Sequence, residues 1–144
     1  MPAVISLPPD WRQVDASDDP GIEILALGPV TEYGYAPTVI VKRLPYLEEG
    51  PEKGMAVMLE GGRQEDPTNR VIDVGEAKLG GYPAAVAVFT YCVEQRNLTQ
   101  ILYFTTPEEL SSGYVVAFVV ATPDFDQMAG VFIDIVASFQ PEKL

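Results

Sequence analysis

Residues 84–122 read AAVAVFTYCVEQRNLTQILYFTTPEELSSGYVVAFVVAT, and this stretch decides the fold. It holds three long runs rich in β-branched and aromatic residues, a composition typical of strands. The three runs are residues 84–94, 98–105 and 113–122. The first two are joined through Gln95-Arg96-Asn97 and the next two through residues 107–112. Because a parallel crossover needs about a dozen residues, connections this short predict antiparallel neighbours.

Both faces of these strands are apolar. On the first strand Phe89, Tyr91 and Val93 lie on one face, and Val86, Val88 and Cys92 lie on the other. A sheet that is apolar on both sides has to be covered on both sides. We therefore expect a layer of helix on each face.

One covering helix is predicted between residues 47 and 63. Met55, Met58 and Leu59 follow helical spacing, and Pro51 suits a first helical turn. The glycine pair at 61–62 predicts the end of this helix.

The second covering helix is predicted to begin at Asp124, where Gln127 completes a capping-box pattern. It is expected to end before Gln140-Pro141. Its apolar stripe against the sheet comprises Phe125, Met128, Phe132, Ile135 and Phe139.

The first half of the chain supplies the remaining strands. Alternation and turn residues predict strands at residues 4–7, 22–27, 38–44 and 71–78. Asp10-Trp11 is predicted as a turn with the tryptophan at an edge of the core, and residues 31–37 as a loop. The predicted class is α+β, an α/β/α sandwich around a central, mainly antiparallel sheet of about six or seven strands. Residues 1–144 are expected to form a single domain.

Composition limits the possible partners. The 144 residues carry 21 acidic and 9 basic side chains, a net charge of −12, which disfavours nucleic acid and anionic lipid. No apolar run reaches the roughly 18 residues of a membrane helix, so stable membrane insertion is not expected. The N-terminus lacks the pattern of a signal peptide, which predicts a cytoplasmic protein. A secreted origin stays open if a leader has been removed.

Residue types also limit the chemistry. The sequence has no histidine, so it lacks the usual general base and the commonest transition-metal ligand. Cys92, the one cysteine, is predicted to be a buried apolar residue within a strand. Pairs of carboxylates fall in predicted loops and at helix starts, as expected of solvated acids. We therefore predict no catalytic residue, no cofactor site and no metal site.

Six aromatic residues are candidates for contact with a partner. Tyr33-Gly34-Tyr35 forms a loop with turn chemistry, and exposed tyrosines provide contact area at a low entropy cost. An apolar groove is expected on the sheet if the helix at 47–63 covers its face incompletely. The candidates are Tyr33, Tyr35 and Tyr46 near the loop, and Phe89, Tyr91 and Tyr103 beside the groove. A structural role in closing the edge of the core remains the alternative for the tyrosines.

Short motifs spread along the chain resemble a known superfamily. They are the Leu-Pro-Pro-Asp-Trp opening, the step Gly80-Gly81-Tyr82-Pro83-Ala84, and Ala137-Ser138-Phe139 at the end of the last helix. With the order of elements, these resemble the Mog1/PsbP-like superfamily, in particular its bacterial DUF1795 and LpqN-type branches. The resemblance implies an α/β/α sandwich and a non-enzymatic accessory protein that docks on other proteins.

Three functions remain in competition. The first is a protein-binding adaptor or chaperone, with a role in secretion as one option, that acts through the sheet face and the tyrosine loop as a monomer or homodimer. The second is a carrier of a small apolar or lipid-like ligand, and the third is an enzyme that uses carboxylates alone.

Overall fold

The structure is a computed structural model that describes residues 3–16 and 18–141. Its strands are β1 (Arg12–Gln13), β2 (Ile22–Leu27), β3 (Thr38–Pro45), β4 (Arg70–Leu79), β5 (Tyr82–Val93), β6 (Arg96–Thr105) and β7 (Ser112–Ala121). They form one seven-stranded sheet in the order β1-β2-β3-β7-β6-β5-β4, and every neighbouring pair is antiparallel. The predicted domain also includes residues 1, 2, 17 and 142–144, which lie outside the described residues.

Two helices cover opposite faces of the sheet, as its two apolar faces require. Helix α1 (Pro51–Glu65) packs over β5 and β6, where Met55, Leu102 and Phe104 belong to one buried cluster. Helix α2 (Phe125–Ala137) packs on the other face against β7, where Phe118 and Phe132 belong to a second cluster that also includes Val41 of β3. The predicted α/β/α arrangement is confirmed.

The apolar stripe of α2 is confirmed, but its predicted capping box is not formed. Asp124 stands at the N-cap position without a capping hydrogen bond from its side chain. Its carboxylate is buried, with 4% of the residue exposed, and accepts a hydrogen bond from the Thr31 hydroxyl at 2.5 Å. The acid therefore ties the loop before β3 to the start of α2.

Helix α1 continues past the glycine pair that was predicted to end it. An added Cβ at Gly61 would meet no atom within 4 Å, so this glycine lies on the open side of the helix. A glycine at such a site costs about 1 kcal/mol relative to alanine, which is too little to end a packed helix. The helix ends instead at Asp66-Pro67, where the Asp66 carboxylate accepts hydrogen bonds from the backbone and hydroxyl of Thr68.

The N-terminal strand predicted at residues 4–7 is wrong. Only Val4 makes a bridge, to Gln140, while Ala3 is buried in the α2-side core and Leu7 packs against it. The first strand is the two-residue β1, which lies beyond Pro8-Pro9. Trp11 is half-buried against the same core, as predicted.

The turn between β5 and β6 is one residue shorter than predicted. It consists of Glu94 and Gln95, both in the left-handed region with φ of 51° and 66°. Two successive residues with positive φ are typical of a type I′ hairpin turn. This turn pairs Val93 with Arg96 and so fixes the register along both strands.

Candidate binding surfaces

The loop at residues 31–37, here called the tyrosine loop, lies beside the β5–β6 turn. Thr31 anchors it to Asp124, and Gly34 with φ of 75° reverses the chain. Tyr33 is 47% exposed and, with Arg96, borders a shallow polar depression at this end of the sheet. Tyr35 is half-buried, and the Arg96 guanidinium carbon lies 5.9 Å from the centre of its ring. Of the two loop tyrosines, Tyr33 is therefore the freer contact residue.

Tyr46 does not belong to the same surface. It follows β3, whereas the tyrosine loop precedes β3, so the length of that eight-residue strand separates them. Tyr46 is exposed, and partial desolvation together with the charges of Glu108, Glu48 and Glu109 raises the pKa of its phenol. Its surroundings are acidic and lie at the opposite end of the sheet.

Phe89 and Tyr91 lie on the face that α1 covers. Their ring centres are 6.0 Å apart, and the Tyr91 hydroxyl donates a hydrogen bond to Gln100 Oε1 at 3.1 Å. Phe89 is buried in the α1-side cluster. Burial, with smaller contributions from Tyr35 and Asp66, raises the pKa of Tyr91 to about 12. Tyr91 thus lies between the α1-side core and the tyrosine loop.

Tyr103 lies on the opposite face of the sheet from Phe89 and Tyr91. It pairs with Val86 and packs edge-on to Phe118, with 6.4 Å between the ring centres, in the core that α2 covers. The predicted three-residue turn would have set Tyr103 opposite Phe89. The observed two-residue turn moves the partner of Tyr103 by three residues, from Phe89 to Val86, and a shift by an odd number places Tyr103 on the other face. A groove bordered by all three rings is therefore not formed.

An apolar groove does exist, but it lies between α1 and the edge strand β4. Its volume is about 450 Å³. We call it the α1–β4 groove, and its lining residues are Glu52, Met55, Ala56 and Leu59 of α1, Val74, Gly75 and Glu76 of β4, and Ala85 of β5. The two glutamates are the charged residues of this lining. None of the six aromatic candidates lines it.

Strand β4 exposes apolar side chains beside this groove. Val71, Ile72 and Val74 are 38%, 63% and 53% exposed. The strand lies at the end of the sheet and, within the described residues, pairs with β5 alone. A long edge strand with exposed apolar residues is a common template for pairing with another chain. The sequence showed the alternation of β4, but the topology was needed to show that β4 is an edge.

The described residues contain no group of three or more histidine, cysteine, aspartate or glutamate side chains that could hold a metal ion. No helix in the described ranges combines the length and apolar character of a membrane span. Cys92 is half-buried rather than buried, which corrects the prediction, and its backbone N–H donates to the Thr68 hydroxyl at 2.9 Å.

No protein-family model and no curated protein matches this sequence. Solved structures do match. LpqN, involved in cell envelope biogenesis of Mycobacterium tuberculosis, aligns with a TM-score of 0.70 at 14% identity, over 98% of this chain and 83% of that one. The cyanobacterial PsbP of Synechocystis aligns with a TM-score of 0.66 at 14% identity, over 97% and 86% of the two chains. The chain has the Mog1/PsbP-like fold. The Saccharomyces cerevisiae Ran-binding protein Mog1p shares this fold, with a TM-score of 0.61 at 12% identity, over 96% of this chain and 89% of that one.

Proposed function

We propose that this Mog1/PsbP-like chain is a non-catalytic accessory protein, an adaptor or chaperone, that binds another protein at the α1–β4 groove and the adjoining edge of β4. The observation that carries the proposal is the exposure of Val71, Ile72 and Val74 on an edge strand beside an apolar groove. Exposed apolar surface next to unpaired backbone favours a protein partner, which can satisfy both. Among the structural neighbours, the yeast Mog1p is a Ran-binding protein, so a member of this fold does bind a protein.

The tyrosine loop is proposed as a second, separate contact surface. Tyr33 supports this role because its ring is exposed on a loop that the Thr31–Asp124 hydrogen bond anchors to the start of α2. The loop lies by the β5–β6 turn, whereas the α1–β4 groove lies between a helix and the outer strand, so a partner could engage one without the other.

Photo-crosslinking in the native host tests the proposal. A photoreactive amino acid at position 74 reports on the groove, and the same amino acid at position 133 is the matched control. Ile133 is 62% exposed on α2, on the other face of the sheet. We expect a discrete crosslinked protein from position 74 that is absent from position 133. The same products from both positions, or none from position 74, would contradict a protein-binding role for this surface.

A carrier of a small apolar ligand is the second candidate. The volume of the groove, about 450 Å³, and its Met55, Leu59 and Val74 walls favour it, because ligand pockets of this size with apolar walls are common. Native mass spectrometry of the protein purified from its host separates the candidates. A retained small mass that is lost in a Leu59→Asp variant supports the carrier, and an unliganded mass supports the protein-binding role.

A further inference from the structure

The backbone of β4 has an outward-facing set of hydrogen-bonding groups that can be assigned from the register. In an antiparallel ladder, residue pairs that exchange backbone hydrogen bonds alternate with pairs that do not. Pro83, which pairs with Lys78, has no N–H, and its carbonyl accepts the Thr105 hydroxyl on the β6 side at 2.7 Å. The Lys78–Pro83 pair therefore exchanges no backbone hydrogen bonds.

This alternation then gives the direction of the other backbone N–H and C=O groups of β4. Glu76 pairs with Ala85 and Val74 with Ala87, each two residues further along the ladder from Lys78 and Pro83. The N–H and C=O groups of Val74, Glu76 and Lys78 accordingly point away from β5. They offer a row of donors and acceptors that a further strand can pair with.

The side chains at the same positions point toward α1. Val74 and Glu76 are the β4 residues whose side chains line the α1–β4 groove, together with Ala85 of β5. A strand added about 4.8 Å outside β4 would place alternate side chains on this same face, beside the groove. Apolar side chains there would cover Val74 and the exposed Ala56 of α1.

Charge distinguishes between the possible occupants of this edge. Glu52 and Glu76 line the groove, and the chain carries a net charge of −12, so a segment with basic residues is favoured. A second copy of the chain is disfavoured by the repulsion between two strongly acidic molecules. Antiparallel pairing of two β4 strands centred on Val74 would also set Arg70 opposite Lys78 at both ends.

We propose that β4 accepts an extended segment of a partner protein as an eighth strand of the sheet, with apolar residues on the groove-facing side and a lysine or arginine between them, opposite Glu76. The inference rests on the proposed protein-binding function and names the kind of partner segment. Backbone pairing with Val74, Glu76 and Lys78 provides the register, and the α1–β4 groove receives the apolar side chains.

A synthetic peptide tests the pairing directly. The probe is the capped peptide Thr-Val-Thr-Lys-Thr-Val-Thr, whose central lysine lies opposite Glu76 and whose valines lie opposite Val74 and Lys78, with Thr-Val-Thr-Glu-Thr-Val-Thr as its charge control. Peptide is added to the 144-residue protein, and amide hydrogen exchange is followed residue by residue by NMR. We expect the lysine peptide to bind more tightly than the glutamate peptide and to slow exchange at Val74, Glu76 and Lys78.

Three variants distinguish backbone pairing from nonspecific binding of the peptide. Val74→Pro removes one outward N–H and leaves the β5 ladder intact, so it should weaken binding by about tenfold or more. Val74→Thr keeps the N–H and the β-branched shape, and should change the affinity by no more than about twofold. Glu76→Lys should weaken the lysine peptide and strengthen the glutamate peptide.

The inference is overturned if exchange at Val74, Glu76 and Lys78 is unaffected, or if Val74→Pro binds like the unaltered protein. It is also overturned if these amides are already protected in a dimer of the free chain, which would make a second copy the occupant. Crosslinks from position 74 without peptide pairing would refute the addition of an eighth strand and would still support the protein-binding function. Peptide pairing without any crosslinked protein would refute the function and leave the edge geometry standing.

Discussion

Two glycines in α1 should respond to alanine with opposite signs. Gly54 faces the sheet, where an added Cβ would lie 2.9 Å from Leu47 Cδ2 and 3.0 Å from Phe104 Cδ2. Carbon atoms normally approach to about 3.5–4.0 Å, so the helix or the buried Phe104 ring has to move. Gly61, in the same helix, has no atom within 4 Å of the added Cβ.

The magnitudes follow from these surroundings. Alanine gains about 1 kcal/mol over glycine in a helix interior, and this gain applies at both positions. At Gly54, overpacking should cost about 2–3 kcal/mol, which leaves a net loss of about 1–2 kcal/mol. At Gly61 the full gain of about 1 kcal/mol should remain. The two variants should therefore differ by about 2–3 kcal/mol in free energy of unfolding.

Urea unfolding followed by circular dichroism measures both values under the same conditions. The denaturant dependence of the two variants should match, because a change there would signal an altered denatured state rather than altered packing. If Gly54→Ala proves as stable as Gly61→Ala, α1 does not sit against Phe104 as described, and the α1–β4 groove would need a different shape.

Three further variants test other parts of the structure. Gln95→Gly should raise the free energy of unfolding by about 1 kcal/mol, because glycine adopts the left-handed conformation of this turn position without strain. Gln95→Ala is the control, and its free energy of unfolding, measured by heat or urea, should not rise. Thr31→Val should cost about 1.5–3 kcal/mol because it removes a hydrogen bond to the buried Asp124 carboxylate, while Thr31→Ser should retain most of the stability in the same assay. Burial raises the pKa of Tyr91 from 10.0 to about 12, so the stability that the neutral phenol contributes below pH 10 should be lost between pH 10 and about 12. In Tyr91→Phe the urea midpoint should fall less steeply over this pH range. The same fall in both proteins would contradict the burial of Tyr91.

Much of the fold could be predicted because the strongest local signals agree with one another. The runs that became β5, β6 and β7 are apolar on both faces, and their short connections leave only antiparallel pairing. The stripe from Phe125 to Phe139 requires a helix against that sheet. These features depend on residue type and spacing alone, so one sequence was sufficient.

The binding surface could not be predicted because it depends on register and on order in the sheet. A difference of one residue in the β5–β6 turn decides whether Tyr103 faces Phe89 or the α2 core. Val74 of β4 and Val88 of β5 stand in similar alternating patterns, yet Val88 is half-buried and Val74 is exposed. The difference arises because β5 lies between two strands and β4 has one strand neighbour among the described residues.

The exposure of β4 also follows from the size of the covering helix. A helix is about 10 Å across, and strands are about 4.8 Å apart, so α1 over β5 and β6 reaches only one side of β4 and leaves the strand partly uncovered. An uncovered edge is normally protected by charges, proline or bulges. Strand β4 has Arg70 and Lys78 near its ends, and these would repel each other if two copies of β4 paired. Its pairing with β5 also shifts register between Val71 and Asp73. Between these features Val74 and the outward backbone remain open, so the edge resists self-pairing while it can still accept a strand whose basic residue lies opposite Glu76.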